Sequence, residues 1–304
     1  MSTNPIIAAW IAVDWGTSNL RVRAVDAAGR VLAETQSDDG MGSLTPEGFE
    51  PALLRLINPW LGQGVTPILA AGMVGARQGW VEAAYRAVPC APLAPGAMTR
   101  APARDPRLAV FVAPGLSQAR PADVMRGEET QIAGALTLRP GFDGVICLPG
   151  THSKWAHVSA GEVVSFQTFM TGELFALIAH QSVLRHSLGD DGSPDGPAFD
   201  EALSDALSRP ERGAARLFSI RAESLLAGLT PATARARLSG LLIGMELAGA
   251  RPYWLGQPVL LIGSAALCAT YARALAAQGN PAEILSAGDC TLAGLSTLVP
   301  GFLP

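Results

Sequence analysis

One local pattern occurs twice in this chain and does most to limit how it can fold. An apolar run breaks into a Gly-Thr turn rich in hydroxyls, and the chain then re-enters an extended segment. The first copy is Trp10-Ile11-Ala12-Val13 followed by Asp14-Trp15-Gly16-Thr17-Ser18-Asn19. The second is Gly144-Val145-Ile146-Cys147 followed by Leu148-Pro149-Gly150-Thr151-His152-Ser153-Lys154. Each opens a meander. Residues 20–25 alternate Arg21 and Arg23 with apolar positions, Ala27-Ala28-Gly29 makes a turn, and residues 31–35 return. Residues 154–159, the Ala160-Gly161 turn and residues 162–168 repeat the scheme. Helices and strands alternate after each meander, so the chain reads as an α/β protein whose halves, residues 1–140 and 141–304, duplicate one topology.

Composition supports two domains of ordinary size. The chain has 304 residues, 49% of them apolar and 16% charged, which supplies core material and argues against disorder. A net charge of −4 without blocks of like charge lacks the footprint of a nucleic-acid binder. The apolar runs are interrupted well short of a membrane span and no basic segment precedes the first of them, so a soluble, cytoplasmic protein is expected. The four cysteines, Cys90, Cys147, Cys268 and Cys290, lack Cys-x-x-Cys spacing, which points away from zinc and from a disulfide framework. Lys154, inside the second glycine turn, is the one lysine among 22 Lys and Arg residues.

Between the turns, residues 45–61 read as a helix with Thr45 as N-cap and Pro46 at its first position. A short apolar strand then enters the loop Gly72-Met73-Val74-Gly75-Ala76-Arg77-Gln78-Gly79-Trp80. Residues 91–107 form a Pro- and Arg-rich connector, and residues 127–138 form a helix. In the second half, helices are expected over residues 171–188, capped by Thr171, and over 230–250, 264–278 and 289–298, with a strand over 257–262.

The turns carry the chemistry. Gly16 allows close backbone approach, so amides and the Thr17 and Ser18 hydroxyls can face phosphate oxygens, while Asp14 at the strand end suits Mg²⁺ held through water. An ordinary hairpin would show the same local pattern. The second turn puts Leu148 where the first has Asp14, so it can cradle phosphate and add positive charge but offers no carboxylate for a metal. Arg126-Gly127-Glu128-Glu129-Thr130-Gln131 sets two carboxylates at a helix N-terminus, where one could accept a proton from an attacking hydroxyl or simply favour the helix dipole. Gly263-Ser264 ends a strand and opens a helix, a geometry found at nucleotide contacts. Walker A and dinucleotide fingerprints are absent.

These segments resemble the acetate and sugar kinase/heat-shock 70/actin superfamily and, within it, the 2-dehydro-3-deoxygalactonokinase family. The residues behind the resemblance are Asp14 to Arg21, Ala71 to Trp80, Met125 to Gln131 and Leu148 to Trp155. The resemblance implies two ribonuclease H-like lobes (the actin-like ATPase fold) with an interlobe ATP cleft. It implies a phosphate transfer from ATP, with Mg²⁺, to the C6 hydroxyl of a 2-keto-3-deoxy sugar acid. The alternatives are a kinase for another sugar or sugar acid, or a phosphohydrolase of the same fold. Asp14 is then the metal-facing residue, and Gly16, Thr17, Ser18, Asn19, Gly150, Thr151, His152 and Lys154 belong to the two phosphate loops. Gly263 and Ser264 lie beside the adenosine, with Ala287-Gly288-Asp289 opening the last helix of the second lobe. Glu128 matches the position of the catalytic aspartate in the glycerol-kinase-like branch of the superfamily and Glu129 is one step away, which leaves two candidates for the base. Arg77, with Gln78 and Trp80, matches the substrate loop; Arg126, Phe169 and Thr171 are further candidates for sugar-acid contact. The expected partner is a small molecule, with no nucleic acid and no membrane; homodimerisation is left open.

Overall fold

The computed structural model describes residues 6–189 and 195–302. Strands β1 (Trp10–Trp15), β2 (Leu20–Val25) and β3 (Val31–Ser37) form an antiparallel meander. Helix α1 (Phe49–Ile57) follows, then β4 (Thr66–Gly72), β5 (Tyr85–Ala87), β6 (Thr99–Arg100), β7 (Leu108–Val112), β8 (Gly115–Ala119), β9 (Ala122–Met125) and α2 (Glu128–Leu138). The second meander is β10 (Gly144–Leu148), β11 (Ser153–Ser159) and β12 (Glu162–Phe169). A helical stretch comes next, with α3 (Thr171–Gln181), α4 (Arg185–Leu188), α5 (Gly196–Ser208), α6 (Gly213–Leu226), α7 (Pro231–Gly249) and α8 (Arg251–Trp254). The chain ends in β13 (Val259–Gly263), α9 (Ala265–Ala276), β14 (Glu283–Ser286) and α10 (Ala287–Ser296).

The first sheet runs β3-β2-β1-β4-β7-β6, with β1, β4 and β7 parallel. The second runs β12-β11-β10-β13-β14, with β10, β13 and β14 parallel. Apart from the added edge strand β6, both place their strands in the order third, second, first, fourth, fifth. That is the ribonuclease H-like arrangement, and the duplication expected from the two turns is present as topology. A small sheet, β5-β8-β9, inserts before α2.

Chain contacts divide the protein into two compact units. One comprises residues 1–142, 159–165 and 287–304, and the other residues 143–158 and 166–286. The sequence reading put residues 287–289 in the second lobe, whereas α10 packs on α2 in the first unit. The two helices meet backbone to backbone: a Cβ on Gly134 would lie 1.8 Å from the Cys290 carbonyl oxygen, and one on Gly294 would lie 2.0 Å from that of Thr130.

In the first unit, strand alternation sends Val13, Trp15, Leu20 and Val22 toward α1, where they bury Phe49, Leu53 and Ile57. Trp10 and Ala12 face the other way, against Ala133 of α2 and Leu295 of α10. Asp14 follows the same alternation and falls on this second face. In the second unit, Val145, Cys147, Trp155 and Leu261 pack against Leu203, Leu247 and Tyr271 from α5, α7 and α9.

Two helices differ from the sequence reading. The segment from Thr45 resolves into a 3-10 turn at Pro46–Gly48, α1, and another 3-10 turn at Asn58–Trp60, because Pro59 has no N–H to continue the α pattern. The helix opening at Thr171 stops at Gln181, where Ser182 Oγ donates to the Ile178 carbonyl and accepts from Leu184 N, displacing helical bonds. Its N-cap residue is Met170, and the Thr171 hydroxyl turns to Glu246 instead. By contrast, Thr230 and Ser264 do cap their helices, accepting from Thr233 N and Leu267 N.

Candidate active site

In the first unit the loops of interest gather at the C-terminal ends of the parallel strands β1 and β4, the usual place for ligands in an α/β sheet. Gly16 N donates to the Asn19 carbonyl at 2.9 Å, which closes a tight turn between β1 and β2. The Gly16 and Thr17 carbonyls accept from Met41 N and Gly42 N at 3.0 and 2.9 Å. In trans peptides the next amide points opposite to each carbonyl, so the Thr17 and Ser18 N–H groups are directed to the other side of the turn. The Thr17 and Ser18 side chains are exposed, and Asn19 is half-buried.

Asp14 keeps 30% of its side-chain surface open, and its Oδ2 lies 3.5 Å from Arg21 Nη1. Burial raises its pKa, and the Arg21 charge partly opposes that shift. It borders a cavity of about 450 Å³ together with Arg21, Arg23, Glu34, Gln36 and Thr291. Arg23 donates to the Gly288 carbonyl at 2.6 Å, tying this face of the meander to the start of α10.

The β4 loop lies against the first turn. Gly72, paired with Trp15 across β1 and β4, has φ +98°, and a Cβ there would lie 2.6 Å from the Trp15 carbonyl oxygen. Gly127, with φ +104°, precedes α2, and its Cβ would lie 3.2 Å from Gly72 Cα. These two glycines let the Asp14 turn, the β4 loop and the N-terminus of α2 meet at backbone distance.

That N-terminus carries the two glutamates. Glu128 is half-buried, and its Oε2 accepts from Arg126 N at 3.0 Å. Glu129 is fully buried; Gly127 N donates to its Oε2 at 2.7 Å and Thr130 Oγ1 donates to its Oε1 at 3.1 Å. Burial first, and the neighbouring Glu128 charge second, push the Glu129 pKa up to about 8. The residue that aligns with the expected base is therefore the accessible one, and its neighbour is held inside.

Arg126, also in this loop, is 9% exposed. Its Nη2 donates to the Ala83 carbonyl at 2.7 Å, and its guanidinium lies 4.3 Å from the centroid of the Tyr85 ring. Nε and Nη1 are buried and have no hydrogen-bond partner among the described residues. Nη1 sits in the space that a Cβ on Gly75 would occupy, at 2.9 Å. Arg77 and Gln78, on the loop above, are exposed. Trp80 faces inward, 8% exposed, in an aromatic cluster with Trp15 and Phe49.

In the second unit, Gly150, Thr151 and His152 form the tip of the β10–β11 turn, and His152 Nε2 lies 2.5 Å from Glu173 Oε2. Lys154 is the second residue of β11, at 5% exposure. The start of α3 lies on the turn: a Cβ on Gly172 would lie 2.3 Å from the Gly150 carbonyl oxygen, and Glu173 N donates to the Thr151 carbonyl at 2.9 Å. A Cβ on Gly263 would meet the Pro149 carbonyl at 3.0 Å, so the Gly263-Ser264 helix start is adjacent to the same turn. A mostly apolar cavity of about 220 Å³ is lined by Gly150, Phe175, Leu242, Ile243, Leu267 and Tyr271. Phe169 is half-buried with its ring on Gly249 of α7, and Thr171 is 8% exposed.

Sequence reasoning passed over Glu246. Its signal is a lone acid within the apolar run Leu241-Leu242-Ile243-Gly244-Met245-Glu246-Leu247. The run reads as core, and Glu246 is 2% exposed.

The family model described as 2-keto-3-deoxy-galactonokinase matches residues 14–298. The chain is 40% identical over 300 residues to a Rhizobium meliloti protein named a probable 2-dehydro-3-deoxygalactonokinase, covering 97% of this chain and 98% of that one. It is 33% identical over 298 residues to the 2-dehydro-3-deoxygalactonokinase of Escherichia coli, covering 96% and 97%. The crystal structure of a Sinorhizobium meliloti protein, provisionally named a 2-dehydro-3-deoxygalactonokinase, matches with a TM-score of 0.88 at 40% identity over 97% of each chain. The chain belongs to the 2-keto-3-deoxy-galactonokinase family, phosphotransferases that act on an alcohol group.

Proposed function

We propose that this protein transfers the γ-phosphate of ATP to the C6 hydroxyl of 2-dehydro-3-deoxy-D-galactonate, giving the 6-phosphate and ADP. The observation that carries the reading is the convergence of Asp14, the Gly72 loop and the Glu128–Glu129 helix start at the ends of β1 and β4. Metal, phosphate and acceptor chemistry all have candidate groups in that neighbourhood.

Glu128 serves as the base, since a base must reach the substrate hydroxyl and Glu128 is the less buried of the two acids. The C6 oxygen attacks the γ-phosphorus, its proton passes to Glu128, and the bond from the γ-phosphorus to the bridging oxygen breaks to release ADP. The transition state is largely dissociative, so positioning and charge neutralisation supply most of the acceleration. Gly16, Thr17, Ser18 and Asn19 in the first turn, and Gly150, Thr151, His152 and Lys154 in the second, take phosphate oxygens. Gly263 and Ser264 lie beside the adenosine, and the 220 Å³ cavity suits the base.

Mg²⁺ fits the donors present. Among the described residues no three His, Cys, Asp or Glu cluster as a protein cage. A half-buried carboxylate such as Asp14 is what a nucleotide-borne Mg²⁺ needs, because waters and phosphates supply its remaining ligands. When bound, the ion neutralises charge on the phosphates.

The substrate carboxylate pairs with Arg126, whose buried Nε and Nη1 have no acceptor among the described residues. Arg77 and Gln78 contact the sugar-acid hydroxyls from the exposed side of the loop. Trp80 supports the loop from behind through its ring contacts with Trp15 and Phe49.

Coupling ADP release to a panel of sugar acids tests the reading. ATP turnover is expected with the 2-keto-3-deoxy acid. Failure with every 2-keto-3-deoxy acid, under conditions where a related kinase works, would sink the substrate claim.

A further inference from the structure

Burying a carboxylate inside a helix costs several kcal/mol unless its charge is met by donors. Glu246, on α7, is such a group, and the proposed chemistry makes no use of it. Trp155 Nε1 donates to its Oε1 at 2.8 Å, and Tyr271 Oη donates to its Oε2 at 2.7 Å. The Thr171 and Ser153 hydroxyls also bond to it, and Ser153 Oγ lies 3.2 Å from Tyr271 Oη. An indole N–H can only donate, so Oε1 is an acceptor for Trp155, while Oε2 accepts from Tyr271. Burial raises its pKa above the usual carboxylate value, and these hydrogen bonds offset only part of that shift.

The partners are not scattered. Ser153 and Trp155 open β11, the strand leaving the second glycine turn. Thr171 opens α3, whose next residue, Gly172, lies against the Gly150 carbonyl and whose Glu173 N–H binds the Thr151 carbonyl. Glu246 thus gathers the strand that leaves the turn and the helix that covers it, yet touches none of Gly150, Thr151 or His152 through the bonds described. An apolar side chain at 246 would fill the core but would leave the Trp155 N–H and three hydroxyls without a common acceptor.

We infer that Glu246 is a positioning residue for the nucleotide phosphates: its carboxylate fixes the shape of the 150–154 turn, and through it the affinity for ATP. The inference rests on the reading of that turn as a phosphate loop.

The test uses the full-length protein, Glu246→Gln and Tyr271→Phe. Calorimetry measures binding of MgATP and of tripolyphosphate without acceptor, and steady-state kinetics gives KM for ATP and for the sugar acid. Glutamine keeps the volume but sets an N–H₂ against one of the donors. Glu246→Gln is expected to weaken ATP and tripolyphosphate alike by roughly 10-fold or more, with sugar-acid KM within about twofold and melting temperature within a few degrees. Tyr271→Phe removes one donor, keeps the ring, and should weaken both ligands by about threefold. Where Glu246→Gln does not fold, Tyr271→Phe decides on the same criteria. Unchanged ATP binding in a folded variant overturns the inference, as does an equal loss for ATP and sugar acid accompanied by a fall in stability. If the wild-type protein binds ATP and the variants bind it equally well, only the role of Glu246 fails. If the wild type binds no ATP, the kinase reading fails with it.

Discussion

Glu128 and Glu129 share one helical turn but not one environment, and their chemistry separates accordingly. Glu128→Gln removes the proton acceptor while leaving both glycine turns intact, so kcat should fall about 10²–10⁴-fold with ATP binding preserved. Survival of transfer in that variant would move the base to Glu129 or elsewhere. Glu129 makes a different prediction, because its pKa of about 8 lies above the value of 4.5 it has in an unfolded chain. Between those values the folded state holds a proton that the unfolded chain has lost. The unfolded chain therefore binds fewer protons there, and stability falls as pH rises across the window. Glu129→Gln should flatten this slope, matching the wild type near the acid end and melting at a higher temperature near pH 8. Equal slopes for the two proteins would remove Glu129 as a group held neutral by burial. Arg126 is the third residue whose surroundings set its behaviour. Arg126→Met should raise the sugar-acid KM by roughly 10–100-fold, the scale of a lost charge-assisted pair, and leave ATP KM unchanged. An effect confined to Arg77→Met would transfer the carboxylate to Arg77. The orphaned Nε and Nη1 could not be read from sequence, since nothing local marks Arg126 as buried and Arg77 as exposed.

At the scale of elements, the glycine turns were legible because two short-range signals coincide: a buried run ends, and a residue without Cβ follows it. The strand order of both meanders came with them, since period-two alternation at Arg21 and Arg23 defines the faces. Elements defined by distant partners were not legible. Strand β14 is a four-residue edge strand, largely exposed, with no run long enough to show a period. The β5-β8-β9 sheet is built from segments of three to five residues that mix polar and apolar positions. Thr171 has the composition of an N-cap, but the pull of Glu246 on its hydroxyl overrides that preference. The contact between Gly72 and Gly127 is of the same long-range kind, although each glycine is visible alone. It supports a prediction for the helix as a unit. Gly127→Ala puts a Cβ at φ +104° and 3.2 Å from Gly72 Cα, so the start of α2 must shift. Strain of this sort costs of the order of 1–3 kcal/mol. Melting should drop by a few degrees, and kcat should fall more than ATP affinity, because Glu128 rides on the displaced turn. A variant with normal kcat and lowered stability would show that the close approach serves folding alone.

For the molecule as a whole, the path of the chain has a consequence that neither turn reveals. The first unit is not complete at residue 142; it also takes in residues 287–304. Sequence periodicity identifies α10 as a helix but does not say which surface it covers. The structure buries Cys290, Leu295 and Leu298 at 0–1% exposure on this unit, with Leu295 beside Ala133 of α2 and Trp10 of β1. Fully burying a leucine-sized side chain contributes about 1.5–3 kcal/mol, and a domain's net stability is only about 5–15 kcal/mol. Removing α10 would withdraw several such groups and uncover the apolar face of α2, where Ile132 and Ala133 are buried. A chain ending at Ser286 should therefore lose cooperative unfolding of the first unit while the β10–β14 sheet remains whole. Amide hydrogen exchange would report this as loss of protection in α2 and β1 with protection retained in β10 and β13. The proposed base, at the N-terminus of α2, therefore sits on a helix whose packing partner is α10. The truncated protein should then bind ATP weakly, if at all, and transfer no phosphate. Retained protection in α2 after truncation would show that residues 287–304 decorate the unit without closing it.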